Sequence, residues 1–275
     1  MGLTAIVTNL TWPCLVIDAM QIPFSFEVLK SCGYITVVLL VLFGVSFLLS
    51  RLLVKITKMD KKHSYLFTFM IMFANTGFMG IPIINAIYGK DATFYASIAE
   101  MVNDIFLFTV GILLIQLSAG KQLRMDPKEF LTPGIFGVII GFLLFLLNIQ
   151  LPGFLGDSIS IIGSATTPIT MVAIGMQIGR MKIRDIFSGG TVYIMSFVKL
   201  LIIPAISYFI FFIVLNDSSL LAKVVTLDFA MPAAMCSAIF AQQYGADHEF
   251  TSKGVLISTL LSIATIPVFT IILSL

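Results

Sequence analysis

Residues 73–82, Phe-Ala-Asn-Thr-Gly-Phe-Met-Gly-Ile-Pro, interrupt an apolar run that extends from Tyr65 to Tyr88. Glycine frees the backbone, and proline lacks a backbone N–H and clashes with the preceding turn, so a helix entering this stretch is predicted to break. A second run, Leu220 to Gln243, contains Ala-Met-Pro-Ala at residues 230–233 and is predicted to break in the same way. Two long helices are therefore expected to be interrupted in their middle.

The composition places these runs in a membrane. Hydrophobic residues make up 59% of the 275-residue chain and charged residues 11%, against roughly 45–50% and 25% in soluble domains. The 16 basic and 14 acidic residues leave a formal charge of +2, too small and too scattered for a nucleic-acid-binding surface. We therefore expect a membrane protein that lies in a lipid bilayer and has no nucleic-acid partner.

About nine stretches are apolar enough to form helices of roughly 20 residues that cross the hydrocarbon layer. They are Leu3–Met20, Gly33–Val54, Tyr65–Tyr88, Thr93–Leu117, Phe130–Ile149, Ser158–Gly179, Thr191–Leu215, Leu220–Gln243 and Ser252–Leu275. The loops that fall on one side hold twelve Lys and Arg residues, whereas the other side holds Lys30, Lys90 and Lys223. The positive-inside rule makes the twelve cytoplasmic. The C-terminus is then expected outside, in a multi-pass protein of the plasma or inner membrane.

A near-constant spacing relates the two halves of the chain. Thr11 and Pro13 recur as Thr166 and Pro168, 155 positions later. At a spacing of 156, the residues Phe73, Ala74, Tyr88, Gly89, Asp91 and Phe94 recur as Phe229, Ala230, Tyr244, Gly245, Asp247 and Phe250. One period holds five predicted helices, an odd number, so the second copy is predicted to be inverted in the membrane. On this plan the partner of the fifth helix falls before residue 1, and the chain is expected to be a ten-helix plan without its first helix.

The paired interruptions predict a binding site. Half-helices that begin near the bilayer centre expose free N–H groups and partial positive charge, which suit a carboxylate, while the opposing carbonyl ends suit a cation or a proton-linked group. The simpler interpretation is that Gly and Pro are common in membrane helices, but two interruptions at matching repeat positions favour a site. The candidate substrate-binding residues are Asn75, Thr76, Gly77, Gly80, Pro82, Met231, Pro232 and Ala233.

Polar and ionisable side chains inside the predicted helices form a second set of candidates, because a charge at the bilayer centre costs roughly 2.5–3.5 kcal/mol. They are Glu100, Asn103, Asp104, Lys199 and Asp228. The first three lie at i, i+3 and i+4 on one helix face. The set is predicted to serve coupling or charge pairing, and a buried structural ion pair is the alternative. Gly137 and Gly141 have GxxxG spacing, as do Gly175 and Gly179, which predicts close packing within one subunit.

Several motifs resemble the auxin efflux carrier family, which includes plant auxin exporters and bacterial malate or malonate permeases. They are Asn75–Pro82 with Tyr88-Gly89, Met231–Ala234, Pro168 in Ser-Ala-Thr-Thr-Pro, and Ser258–Ser262 with Pro267. The resemblance covers nearly the whole chain. Two features depart from plant members, since Ala74 stands where they tend to have proline and their long cytoplasmic loop is absent.

The resemblance implies a bile-acid-transporter-like fold, in which two broken helices cross at the substrate site and a transport domain moves against a scaffold. It places Asn75, Thr76, Gly77, Met231 and Pro232 around the crossing. It also implies that residues 1–29 and 121–184 contribute to the scaffold. Residues 30–120 and 185–275 would then form the two halves of the transport domain.

The paired interruptions predict a secondary transporter for small organic anions, and the resemblance implies a permease or efflux carrier for anions such as malate, malonate or auxin-like carboxylates. A membrane receptor or regulator that keeps the ligand cavity without transporting is the alternative, and a channel is a second one. No enzyme is expected because no catalytic constellation is found. No cofactor or metal is expected, since His63 and His248 lack a neighbouring ligand in the sequence. Coupling to H⁺ or Na⁺ and assembly as a homodimer stay open.

Overall fold

The computed structural model describes residues 3–120, 133–169, 172, 176 and 190–275. In chain order its helices are α1 (residues 3–19), α2 (Phe26–Thr57), α3 (Lys61–Met72), α4 (Thr76–Tyr88), α5 (Lys90–Ser118), α6 (Pro133–Leu146), α7 (Gly153–Ser164), α8 (Gly190–Val214), α9 (Leu220–Phe229), α10 (Cys236–Tyr244) and α11 (His248–Ser274). The described residues are thus almost entirely helical and contain no strand beyond one isolated β-bridge. Helices α2, α5, α8 and α11 are each long and apolar enough to cross a membrane.

The predicted class, an all-helical membrane protein, is confirmed by these helices. The Gly175/Gly179 pair and much of the second half of the predicted span Ser158–Gly179 lie outside the described residues. Several of the helices, including α1, α4, α5 and α8, contain a wider π-helical turn. Such turns are frequent at functional sites in membrane and soluble helices alike.

Helix α1 is held tightly between α6 and α7, and glycines make the close approach possible. A Cβ added at Gly137 of α6 would lie 2.9 Å from Cα of Pro13, and one added at Gly163 of α7 would lie 2.8 Å from Cα of Leu15. Gly141, one turn after Gly137, also faces α1. The Gly137/Gly141 pair therefore serves packing within one subunit, as its GxxxG spacing predicts.

A histidine joins the N-termini of α3 and α11. Asp60 caps α3 and Asp247 caps α11, and the His63 ring contacts both carboxylates, with Nδ1 2.5 Å from Asp60 and Nε2 3.1 Å from Asp247. Partial burial lowers the pKa of His63, but the hydrogen bonds and charges of the two aspartates outweigh it and raise that pKa above the usual 6.5. His63 thereby links the first and second halves of the chain.

Candidate functional site

Two buried non-helical segments lie in the two stretches that were predicted to break, and the first falls just before Gly77, Gly80 and Pro82, which belong to α4. Residues 73–75 separate α3 from α4, and residues 230–235 separate α9 from α10. Pro232 has no N–H with which to continue a helix, and the backbone of Asn75 has φ −81° and ψ 61°, outside the helical region. Buried backbone groups of this kind need partners, because an unpaired N–H or C=O in an apolar interior is costly.

The two segments supply each other's backbone hydrogen bonds. The N–H of Asn75 donates to the carbonyl of Pro232 at 2.8 Å, and the N–H of Ala234 donates to the carbonyl of Phe73 at 3.0 Å. Together these bonds make a short antiparallel bridge between the two interruptions. The N-termini of α4 and α10 consequently begin close to one another in the interior.

A cavity of about 300 Å³ lies beside this bridge. Its walls come from α1, α4, α5, α6 and α10 and from the interruptions themselves. The lining residues are Asn9, Trp12, Ala74, Asn75, Thr76, Gly77, Phe78, Glu100, Asn103, Asp104, Leu107, Phe108, Pro133, Gly134, Ala234, Met235, Cys236 and Phe240. Among these described residues there is no Lys, Arg or His, so a bound anion would rely on N–H and amide donors.

Glu100 reaches from α5 to the N-terminus of α4. Its carboxylate accepts a hydrogen bond from the Thr76 hydroxyl, and the Gly77 N–H and the Asn103 side chain also bond to it. Asn103 further donates to Thr76 Oγ1 at 3.2 Å. A Cβ at residue 77 would lie 2.5 Å from Glu100 Oε1, so glycine is what lets the carboxylate approach the backbone so closely. The polar stripe predicted on α5 therefore caps α4.

Asn75 and Trp12 each bring a buried donor without a hydrogen-bond partner in the described residues to the cavity, the Asn75 amide and the Trp12 indole N–H. The Asn75 side chain is 4% exposed and lines the cavity, and its amide Nδ2 has no hydrogen-bond partner in the described part of the chain. Helix α10 begins at the same cavity without a side-chain cap from its N-cap residue, Met235. A buried amide and a helix N-terminus thus both offer hydrogen-bond donors to the cavity.

Lys199 lies near the C-termini of α3 and α9, the helices that precede the two interruptions. Its side chain is fully buried, and its ammonium donates to the carbonyl of Ile71, in the last turn of α3, at 3.1 Å. The same ammonium is 5.7 Å from the ring centroid of Phe229, the last residue of α9. Within the described residues no carboxylate forms an ion pair with it. Lys199 instead compensates the partial negative charge at two helix C-termini.

The remaining predicted residues are buried behind the cavity and do not line it. They are Gly80, Pro82, Met231, Pro232, Ala233, Lys199 and Asp228. Asp228 approaches α4 closely, since a Cβ at residue 80 would lie 2.6 Å from its Oδ1. The structure therefore brings Asn75, Thr76, Gly77, Glu100, Asn103 and Asp104 together at the cavity.

Sequence reasoning missed the walls contributed by α1, α6 and α10. Asn9 and Trp12 of α1 face the cavity, and Gly134 of α6 provides the space in which the Trp12 ring lies. Cys236 and Phe240 complete the wall from α10. Trp12 is the only tryptophan of the chain, but its position at the cavity follows from helix packing and is marked by no local motif.

Comparison with known proteins identifies relatives that are described as transporters. An uncharacterized transporter of Methanothermobacter thermautotrophicus is 26% identical over 203 residues, 72% of this chain and 65% of that protein. One of Methanocaldococcus jannaschii is 25% identical over 201 residues, covering 71% and 64%. Auxin efflux carrier component 8 of Arabidopsis thaliana is 26% identical over 159 residues, 57% of this chain and 42% of the plant protein. The matched regions thus span less than two thirds of each relative's length.

A family profile described as Membrane transport protein matches residues 1–129 and 125–270. These matches confirm the resemblance to auxin efflux carriers that the motifs around Asn75 and Pro232 predict. The chain therefore belongs to the Membrane transport protein family.

Proposed function

We propose that the protein is a secondary transporter that binds a small organic anion in the cavity beside the paired interruptions. The observation that carries this proposal is the buried amide of Asn75, which has no partner among the described residues and lies beside the uncapped N-terminus of α10. A carboxylate is the ligand that such donors favour, since charge-assisted hydrogen bonds are about twice as strong as neutral ones.

The dimensions and the walls of the cavity favour a small carboxylate. Its volume of about 300 Å³ is at the lower end of the roughly 300–1,000 Å³ typical of ligand sites. Phe78, Phe108 and Phe240 supply apolar surface opposite the polar face formed by Asn75 and Thr76. Malonate, malate and auxin-like aromatic carboxylates are therefore the substrates that we expect to fit.

The arrangement of helices supports alternating access. The cavity lies between α1 and α6 on one side and α4, α5 and α10 on the other, so relative motion of these two groups would open it to either face of the membrane. We propose that α1, α6 and α7 belong to the scaffold of a nine-span, inverted-repeat protein whose interrupted helices cross at the substrate site. The loops rich in Lys and Arg would face the cytoplasm, with the C-terminus outside the cell membrane.

Flux measured in proteoliposomes tests the proposal. Wild-type protein is expected to give saturable flux of radiolabelled malonate, malate or indole-3-acetate. Asn75→Ala removes a buried donor to the carboxylate, worth about 1.5–3 kcal/mol for a hydrogen bond to a charged group, so affinity should fall roughly 10- to 150-fold. Pro232→Ala alters the paired interruption and should also abolish flux.

Asn85→Ala is the matched control. Asn85 also lies on α4, but it accepts a hydrogen bond from Thr93 and does not line the cavity. This variant should transport like the wild type. Unchanged flux in Asn75→Ala would contradict the proposed site, and saturable binding by the wild type without any flux would favour a receptor.

A further inference from the structure

Glu100 occupies the place at the N-terminus of α4 where a substrate carboxylate would otherwise bind. The chain's own carboxylate already accepts from the Thr76 hydroxyl and the Gly77 N–H. These are the donors that an external anion would seek at that helix end. The neighbouring donors, the Asn75 amide and the start of α10, face the same cavity. Two helix N-termini therefore face the cavity: Glu100 already accepts hydrogen bonds at that of α4, whereas that of α10 has no side-chain cap from its N-cap residue.

We infer that an ionised Glu100 and a substrate carboxylate exclude one another, so that the anion binds when Glu100 takes a proton from water and withdraws from α4. The inference rests on the proposed function, because it assigns the coupling of the same site. The proton bonds to a carboxylate oxygen of Glu100, and the anion accepts the hydrogen bonds that Glu100 releases. One proton and one monocarboxylate then enter the cavity together, without net charge.

The surroundings of Glu100 explain why protonation is required. The titratable groups that interact with it are Asp104 on its own helix, Asp228 on α9 and Cys236 at the start of α10. Helices α1 and α6 bring no titratable side chain to the cavity wall. Lys199, the nearby cation on α8, donates to a backbone carbonyl behind the cavity. With no basic lining residue in the described structure, an anion beside ionised Glu100 and Asp104 would meet uncompensated repulsion.

An unpaired side chain supplies independent support for a ligand at this place. Asn75 is 4% exposed and its Nδ2 has no partner in the described structure, whereas the Thr76 hydroxyl and the Gly77 N–H at the start of α4 both bond to Glu100. An orphaned buried donor that faces a cavity is costly unless something fills it. Once Glu100 has withdrawn, a substrate carboxylate could accept hydrogen bonds from the Asn75 amide and from the Thr76 hydroxyl and Gly77 N–H at the N-terminus of α4.

The experiment uses Trp12, the single tryptophan of the chain, as a reporter within the cavity wall. Its fluorescence is followed during titration of the purified protein with benzoate, which stays ionised from about pH 6 to pH 8. If one proton accompanies each anion, the wild-type Kd should rise with pH, by up to about tenfold per pH unit where Glu100 is ionised before binding. In Glu100→Gln the Kd should be no higher than the wild-type value at pH 6 and should not vary with pH.

Asp91→Asn is the matched control, because Asp91 also lies on α5 but is exposed in its first turn and does not line the cavity. It should keep the wild-type dependence of Kd on pH. Should Glu100→Gln be unstable, Glu100→Ala also removes the titratable carboxylate and should bind benzoate with a Kd that does not vary with pH. A pH-independent wild-type Kd, or a slope that persists in Glu100→Gln, would overturn the inference, as would failure of Glu100→Gln to bind benzoate.

Benzoate flux in proteoliposomes separates this inference from the proposed function. Saturable flux that is insensitive to pH would leave the transporter standing and overturn the role of Glu100. Conversely, the expected binding slope and its loss in Glu100→Gln, without flux in any variant, would support the role of Glu100 and contradict transport.

Discussion

Replacing Gly163 with alanine tests the packing of α1 between α6 and α7. The new methyl group would lie 2.8 Å from both Cα and N of Leu15 and 3.1 Å from the carbonyl carbon of Cys14. These are backbone atoms, which cannot rotate away, so α1 must move as a whole. Overpacking of this kind costs about 1–3 kcal/mol.

Gly33→Ala is the control that isolates this cost. Gly33 is exposed on α2, and a Cβ there has no atom within 4 Å. Both substitutions gain up to about 1 kcal/mol of helix propensity, which cancels between them. The free energy of unfolding of Gly163→Ala should therefore be about 1–3 kcal/mol below that of Gly33→Ala.

The assay follows thermal unfolding in detergent with a thiol-reactive dye. Cys14, Cys32 and Cys236 are free, and Cys32 is buried, so labelling reports the loss of structure. The apparent unfolding temperature should fall by about 2–4 °C for each kcal/mol. Equal unfolding temperatures for Gly163→Ala and Gly33→Ala would refute the close packing of α1 on α7.

Three further substitutions can be measured by the same thermal assay. Lys199→Met leaves the α3 carbonyl without its charged donor and should lower the free energy of unfolding by about 1.5–3 kcal/mol. Lys30→Met, on the surface, is the control and should change it little. Equal stability of the two variants would count against the compensating role of the ammonium. Ser258→Ala removes the hydroxyl that accepts a hydrogen bond from the buried N–H of Ala233 at 3.2 Å, and it should lower the free energy of unfolding by about 1–3 kcal/mol. An unchanged unfolding temperature would show that this N–H finds another acceptor. Because the pKa of His63 is raised on folding, its stabilisation is complete below about pH 6.5 and fades as pH rises through the raised pKa. The wild type should therefore lose stability as the pH rises above about 6.5, and a His63→Gln variant with the same loss would exclude this histidine as the cause.

The interruptions and the polar stripe were predictable from the sequence because their causes are local. Pro232 removes a backbone N–H from the second interruption. Gly77, Gly80 and Pro82 indicate where the first interruption lies, but they belong to α4, and the break itself falls just before them at residues 73–75. The spacing of Glu100, Asn103 and Asp104 fixes them on one helix face before any tertiary contact is known. Local geometry thus identifies six of the lining residues of the cavity.

The rest of the site depends on contacts between distant parts of the chain. Trp12 reaches the cavity only because glycines let α1 pack against α6. The ammonium of Lys199 donates to a carbonyl of α3 and also interacts electrostatically with Asp228. Sequence spacing cannot reveal this position, because only the tertiary fold brings α3, α8 and α9 together.

The shared bridge between residues 73–75 and 232–234 restricts how the interior can rearrange. Separating the two segments would expose the N–H groups of Asn75 and Ala234 without acceptors, at about 1–3 kcal/mol each. These hydrogen bonds thus link the two interrupted helices, and we expect the helices to move together. We therefore expect the cavity to open at its outer wall, by movement of α1 and α6, which would leave these hydrogen bonds intact.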